Sequence, residues 1–189
     1  MYNFIFAADR RLTFRPGQYL EWTLPHTAPD SRGNRRYFTI ASSPNDSHVM
    51  LGVKFYKPAS TFKRALAAMK PGDTLAVGQL AGDFVLPKNP HTKLAFIAGG
   101  IGITPFRSMV GHLLDCKEKR DIVLLYSNKT VGEIAYKNIF NHAQELGLKT
   151  VYAITDEAPL TQQNNSAFYY GAIDARLIAQ TIPDYRGRC

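Results

Sequence analysis

Cysteine is nearly absent. The 189-residue chain carries two, Cys116 and Cys189, and no Cys-x-x-Cys pair. A four-thiolate iron–sulfur cluster is excluded within the chain, a structural zinc is not expected, and no residue is assigned to a metal. So low a thiol count fits a reducing, cytoplasmic setting. Long apolar runs are missing as well. The longest, Leu94 to Phe106, is too short and too glycine-rich to span a membrane. The stretch Met1 to Arg11 has no charged segment ahead of its short apolar run, so it does not read as a secretion signal. Lys and Arg outnumber Asp and Glu by 23 to 15, a net charge of +8, yet no basic run exceeds two residues. Scattered positive charge argues against nucleic acid. It suits anionic ligands such as phosphates, or an acidic protein partner. There is no internal repeat, and no Ser/His/Asp set or carboxylate pair placed for general acid–base work.

What is present is an ordinary globular composition, 45% hydrophobic and 20% charged, long enough for one large or two small domains. The first half reads as β. Strands are expected at 2–7, 18–24, 36–42, 49–56, 74–79 and 83–86, with turns at Pro16-Gly17 and Ser43-Pro44-Asn45-Asp46. One short helix carries Phe62, Ala65, Leu66 and Met69 on one face and stops at Pro71-Gly72-Asp73. Short, closely spaced strands with a single helix suggest a small barrel. The pattern changes at Pro87-Lys88-Asn89-Pro90. Beyond it, strands at 94–98, 122–127 and 148–154 alternate with helices at 104–115, 132–146 and 174–181, and 156–169 reads as a polar loop. The expected fold is a β-barrel domain over residues 1–88 and an α/β domain with a parallel sheet over 89–189. The order strand, loop, helix at 148–181 calls for a further strand, so the chain reads as a fragment cut short at its C-terminus.

The stretch Leu94-Ala-Phe-Ile-Ala-Gly-Gly-Ile-Gly-Ile-Thr-Pro105 carries the clearest chemistry. An apolar strand, expected to be buried on both faces, runs into Gly99, Gly100 and Gly102. Thr104 suits a helix cap and Pro105 the first helical position. Phe106, Met109, Val110, Leu113 and Leu114 then share a helical face. Backbone N–H groups and the positive dipole end of the helix would converge where no side chain intrudes, a seat for phosphate. A tight turn that needs glycine for packing alone reads the same residues equally well. The Gly-Lys-Ser/Thr of a nucleotide-triphosphate loop is missing, and the spacing is not Gly-x-Gly-x-x-Gly.

Several motifs, in order, resemble the ferredoxin–NADP reductase superfamily. Arg36-Tyr37-Phe38-Thr39-Ile40-Ala41-Ser42-Ser43-Pro44 is similar to its flavin signature, and Pro16-Gly17-Gln18-Tyr19 to the turn upstream. Gly82-Asp83-Phe84-Val85-Leu86 resembles the strand that closes its barrel. Gly99 to Pro105 resembles its pyridine-nucleotide motif, and Gly171-Ala172-Ile173-Asp174 the turn before its late helix. The resemblance implies FAD, with FMN as the alternative, held by the barrel, and NAD(P)H held by the α/β domain.

By that resemblance Arg36 neutralises the flavin phosphate, Phe38 stacks on the ring, and Thr39 offers its hydroxyl to the ring nitrogen that accepts hydride, the one catalytic role assigned. Ser60 and Thr61 head the helix that holds the pyrophosphate, although Ser60 serves equally as a plain cap. The backbone at Val53 and Lys54 follows the adenosine part. Gly99, Gly100, Gly102, Thr104 and Pro105 bind the pyridine nucleotide, and Asn128 lies where its adenosine ribose is read. Lys129 is a lone cation there and Glu133 is close, which tips the balance slightly to NADH. The implied activity is hydride transfer from NAD(P)H to bound flavin and onward delivery to an unidentified acceptor, by an enzyme with no membrane span and no nucleic-acid partner. The alternative is a non-catalytic nucleotide- or partner-binding module on the same fold.

Overall fold

The computed structural model describes residues 1–158 and 167–189. The strands of the first half are β1 (Tyr2–Phe6), β2 (Tyr19–Thr23), β3 (Arg35–Thr39), β4 (Val49–Val53) and β5 (Ala76–Ala81), with helix α1 (Thr61–Ala68) between the last two. They form two antiparallel sheets, β1-β4 and β3-β2-β5. Leu20 and Trp22 alternate inward from β2 and meet Leu51 and Val53 of β4 and Phe62 and Leu66 of α1 in one core. Phe62 and Leu66 are fully buried, so α1 plugs the space between the sheets.

The barrel expected from the strand spacing is therefore only partly formed. Its two sheets share a core but do not close into one ladder, and they meet through isolated bonds such as Ala41 N–H to Met50 O at 2.8 Å. Residues 83–86 form no strand. They cross the Pro16-Gly17 turn, where the carbonyl of Phe84 lies 2.0 Å from the place a Cβ on Gly17 would take, and Gly17 has φ +101°. Only glycine permits that approach.

The second half holds a parallel sheet in the order β6-β7-β8-β9: β6 (Leu94–Gly99), β7 (Ile122–Asn128), β8 (Leu148–Ile154) and β9 (Phe168–Tyr170). Its helices are α2 (Thr104–Cys116), α3 (Lys137–His142) and α4 (Ala175–Thr181). One face packs on α2 and α3 through Leu94, Phe96, Leu124, Tyr126, Phe106, Val110 and Phe140. The other packs on α4 through Val123, Leu125, Val151 and Ile182. Strand β7 is buried on both faces, but β6 is not. It is an edge strand among the described residues, and Ile97 on its second face is 53% exposed. Cys189 lies beside that edge, donating its N–H to Lys93 O and accepting from Ala95 N–H.

Two further differences have local causes. The helix expected over 132–146 is broken into 3-10 turns at Val131–Glu133 and Ala143–Leu146 around the short α3. Tyr136, at φ +58°, interrupts it and sends its hydroxyl across to Asn3 Oδ1 at 2.7 Å. Strand β9 lies within the stretch read as a loop. Residues 159–166 of that stretch lie outside the described residues. Among the described residues no helix is long and apolar enough to cross a membrane.

Candidate functional site

Strand β6 ends at Gly99, and Gly100–Ile103 winds as a 3-10 turn straight into α2. Thr104 consequently does not cap. The N-cap position falls on Ile103 without a side-chain bond, and the Thr104 hydroxyl donates to Ile101 O at 3.3 Å. Pro105 stays in the first turn of α2. Because the winding begins earlier, its free N–H groups are those of Gly100 and Ile101, while the i→i−3 pattern turns Gly102 N–H back to Gly99 O. A Cβ built on Gly99, Gly100 or Gly102 would meet nothing within 4 Å, so the turn faces open space. Packing against neighbours does not account for these glycines; at Gly100 the left-handed backbone, φ +48°, does, and at Gly99 and Gly102 the space is free for a ligand.

Asn128 ends β7, one register step beyond the pairing of Gly99 with Ser127. The residue is 5% exposed, and its amide is closed off from solvent beside the Tyr126 hydroxyl. Nearby, the Tyr126 hydroxyl donates to Gly100 O and accepts from Ala135 N–H, tying the turn to the segment after β7. A cavity of about 240 Å³ opens here, walled by Gly100, Ile101, Tyr126, Gly132, Lys54 and Glu133. The open glycine turn at the start of α2 fits a phosphate-bearing nucleotide.

Lys54 belongs to the first half and Glu133 to the second. Their ion pair, at 2.8 Å, spans the cavity wall. The hydrogen bond from Lys54 holds the Glu133 carboxyl below its ordinary range, and Glu133 in turn raises the Lys54 ammonium. The rest of the junction is made by a second, polar face of α2. Arg107 donates to Ala41 O at 2.6 Å and pairs with Asp46 at 3.3 Å. Ser108, fully buried, donates to Ser42 O at 2.7 Å, and Asp115 accepts from the Ser43 hydroxyl. The end of the flavin-signature stretch, Ala41 to Ser43, is thus pinned to the helix that follows the glycine turn. Thr104 Cγ2 and the Tyr136 hydroxyl lie 2.8 and 2.6 Å from where a Cβ on Gly52 would stand, which obliges glycine in β4. The recurrence of Arg107, Ser108, Gly111 and Asp115 along one side of the helix was a readable signal for this contact; Gly52 offered none.

In the first half, β3 ends at Thr39, where a twist or an end is needed for Thr39 to join Arg36 and Phe38. Tyr19, Tyr37, Phe38 and Thr39 wall a hollow of about 370 Å³. Phe38 also leans on Phe62, their ring centroids 5.9 Å apart. Val53 is 1% exposed and packs in the core, so it offers a ligand only its backbone. Ser60 caps α1, accepting from Lys63 N–H at 3.3 Å.

Both terminal nitrogens of Arg36 are engaged. One terminal nitrogen donates to the carbonyls of Arg32, Gly33 and Arg35, and the other pairs with Asp30 at 2.7 Å. Asp30 also donates its N–H to Thr61 Oγ1 at 3.0 Å, which places it at the head of α1. Burial pushes the Asp30 carboxyl up, but the N–H of Arg32 and the Arg36 guanidinium outweigh it and leave the carboxyl below its usual value. The seat formed by Arg36 and the head of α1 therefore already holds an anion supplied by the chain. Its donor set fits a flavin phosphate that takes the place of Asp30. Sequence reading had no access to Asp30, a loop residue whose partner is set by the folded path.

Residues 96–188 match the family described as the oxidoreductase NAD-binding domain. The chain is 28% identical over 180 residues to a flavohemoprotein of Bacillus cereus, covering 90% of this chain and 44% of that protein. In fold it is similar to the cytochrome P450 reductase of Amycolatopsis, with a TM-score of 0.80 and 21% identity over 98% of this chain and 54% of that one. It is also similar to a ferredoxin NADP+ reductase from Neisseria gonorrhoeae with bound FAD and NADP, with a TM-score of 0.68 and 20% identity over 83% of this chain and 63% of the other. The chain spans less than half the length of the flavohemoprotein it matches.

Proposed function

We propose that this chain, which belongs to the ferredoxin–NADP reductase superfamily, is an NAD(P)H-dependent flavin oxidoreductase. We divide it at 88/89 into a flavin-binding half and a nucleotide-binding half. The observation that carries the reading is the open glycine turn, beside a cavity that Lys54 of the other half and Glu133 wall together.

When bound, FAD and NAD(P)H supply the redox chemistry, hydride passing from nicotinamide to flavin and electrons onward to an acceptor. The chain's own work is binding and placement. Gly99, Gly100 and Gly102 leave the turn clear for the pyrophosphate of the nucleotide, with Thr104 and Pro105 setting the start of α2, and Asn128 lies on the adenosine side. Arg36 and Thr61 take the flavin phosphate. Ser60 holds the head of α1 in shape, and Val53 lines the adenosine part with its backbone. Phe38 covers the ring, and Thr39 presents its hydroxyl to the reactive ring nitrogen. FMN is the smaller alternative for the same hollow. Arg107, Ser108 and Asp115 keep the two halves in register, so that orientation is set before the cofactors meet. The net charge of +8 favours an acidic protein as electron acceptor.

The test is an anaerobic titration of the FAD-loaded chain with NADH and with NADPH, followed at the flavin absorbance bands. Bleaching by either is expected; a flavin that stays oxidised under both overturns the reading. One observation favours a second reading, a nucleotide-binding module without flavin: Arg36 is occupied by Asp30. A chain that stays colourless after incubation with FAD would establish that reading in place of the first.

A further inference from the structure

We propose that Tyr126 is a positioning residue for the pyridine nucleotide: its buried hydroxyl fixes the peptide that follows Gly100 and so aims the Ile101 N–H at the pyrophosphate. The inference rests on the nucleotide reading above and deepens it.

Tyr126 lies on β7, in register with Ala98 of β6 on one side and Tyr152 of β8 on the other, and is fully buried. Its ring packs near Phe140 and Tyr152, with centroids 6.4 and 6.2 Å away. Ring packing accounts for an aromatic residue here; it does not account for a hydroxyl. A hydroxyl in a core is costly unless it is paired. This one is paired twice. It donates to Gly100 O at 3.0 Å and accepts from Ala135 N–H at 3.3 Å. Gly100 and Ala135 both line the cavity of about 240 Å³, so a single side chain sets the spacing of the glycine turn and the segment after β7.

The bond to Gly100 O reaches the ligand through peptide geometry. In a planar trans peptide the C=O and the N–H point in opposite directions. Drawing Gly100 O toward the buried hydroxyl turns the Ile101 N–H the other way, out from the core. That N–H and the Gly100 N–H are the donors that the winding leaves free. Gly100, at φ +48° and without a Cβ, has a backbone that can turn in several ways. The i→i−3 winding gives its carbonyl one partner from within the turn. Tyr126 gives it the partner that is anchored in the sheet. Burial pushes the Tyr126 hydroxyl above its usual value, so it remains a donor across neutral pH. A pyrophosphate brings acceptors only and gains most from donors already aimed at it.

Tyr126→Phe removes the hydroxyl and keeps the ring. In calorimetric titration of the flavin-free full chain, this variant should bind NADH about tenfold more weakly than the wild type. Its melting temperature should fall by only about 2–4 °C. The control is Tyr152→Phe, on the neighbouring strand. It deletes the hydroxyl of another buried tyrosine, one that bonds to Asn141 Oδ1 at 3.5 Å and not to the turn. It should leave NADH affinity unchanged. In the FAD-loaded chain, Tyr126→Phe should raise the half-saturating NADH about tenfold and leave the limiting rate of flavin bleaching as it was. Equal weakening by the two variants would make Tyr126 a part of the core and overturn the proposal. So would an NADH affinity that Tyr126→Phe leaves unmoved, a limiting rate that falls at unchanged half-saturation, or a Tyr126→Phe chain that does not fold. A folded wild-type chain that binds no NADH defeats the nucleotide reading itself, and this inference falls with it.

Discussion

At the carboxyl end of β6 the glycine turn stands open, whereas at the head of α1 the polar groups are bonded to one another. A Cβ on Gly99, Gly100 or Gly102 would meet nothing within 4 Å. Arg36, by contrast, holds Asp30 and three carbonyls, while Thr61 accepts from Asp30 and Ser60 is occupied as a cap. On the proposed reading the two halves would meet their ligands on different terms. A nucleotide would enter a turn that is already open. A flavin phosphate at Arg36 must first break a partly buried ion pair, whose loss offsets part of what the new contact contributes. One half is preorganised, and the other exchanges an internal anion for an external one.

The comparison can be broken hardest at Phe62. Its fully buried ring supports both the core of the first half and Arg36, whose guanidinium lies 5.3 Å from the ring centroid. Phe62→Ala should destabilise the chain by about 3–5 kcal/mol in chemical denaturation, with flavin uptake lost before nucleotide binding. At the other half, Gly99 has φ −123° and ψ 124°, backbone that valine adopts freely, with no atom within 4 Å of its Cβ position. Gly99→Val should leave stability within about 0.5 kcal/mol. It should weaken NADH binding by about tenfold or more, because it fills the cradle. A large fall in stability with unchanged binding would return the glycine to a packing role.

Asp30→Asn sharpens the contrast with the opposite sign. Removing the internal anion should tighten FAD binding by about threefold to tenfold, measured by quenching of FAD fluorescence. Arg36→Ala should lower flavin retention, and Lys129→Ala should not. Acid acts on the same contact. Because the Asp30 carboxyl lies below its ordinary value, the pair is fully formed above the ordinary carboxylate range and is lost as pH falls through that depressed value, which frees Arg36. The smallest effect is expected at Lys54–Glu133. Glu133 is lowered and Lys54 raised, so their pair holds across neutral pH, weakening in acid below the depressed Glu133 value and in alkali above the raised Lys54 value. Glu133→Gln should cost about 1 kcal/mol or less at neutral pH in thermal melting, and nothing at low pH.

The nucleotide half was legible in the sequence because its signals are local. An apolar strand, three glycines and an amphipathic helix lie within one short stretch, and each constrains the next. The flavin half depends on chain segments far apart. Asp30 meets Arg36 and Thr61 only once the loop folds over α1, and the crossing of Phe84 over Gly17 replaces an expected strand. The barrel was overdrawn for the same reason, since strand spacing does not say whether two sheets join. Strand β9 was missed because its three residues lie in polar surroundings too short to show a period, and α3 was drawn too long because nothing about Tyr136 in isolation announces a left-handed backbone. The family resemblance alone pointed to Asn128 as a ligand position; its burial beside Tyr126 is a property of the fold.

Equilibrium dialysis of the flavin-free chain against NADH tests the contrast between the halves most directly. A ready-made nucleotide half predicts saturable binding of one NADH per chain, unchanged in affinity when FAD is added. NADH that binds only after FAD would contradict it and make the glycine turn dependent on the flavin half.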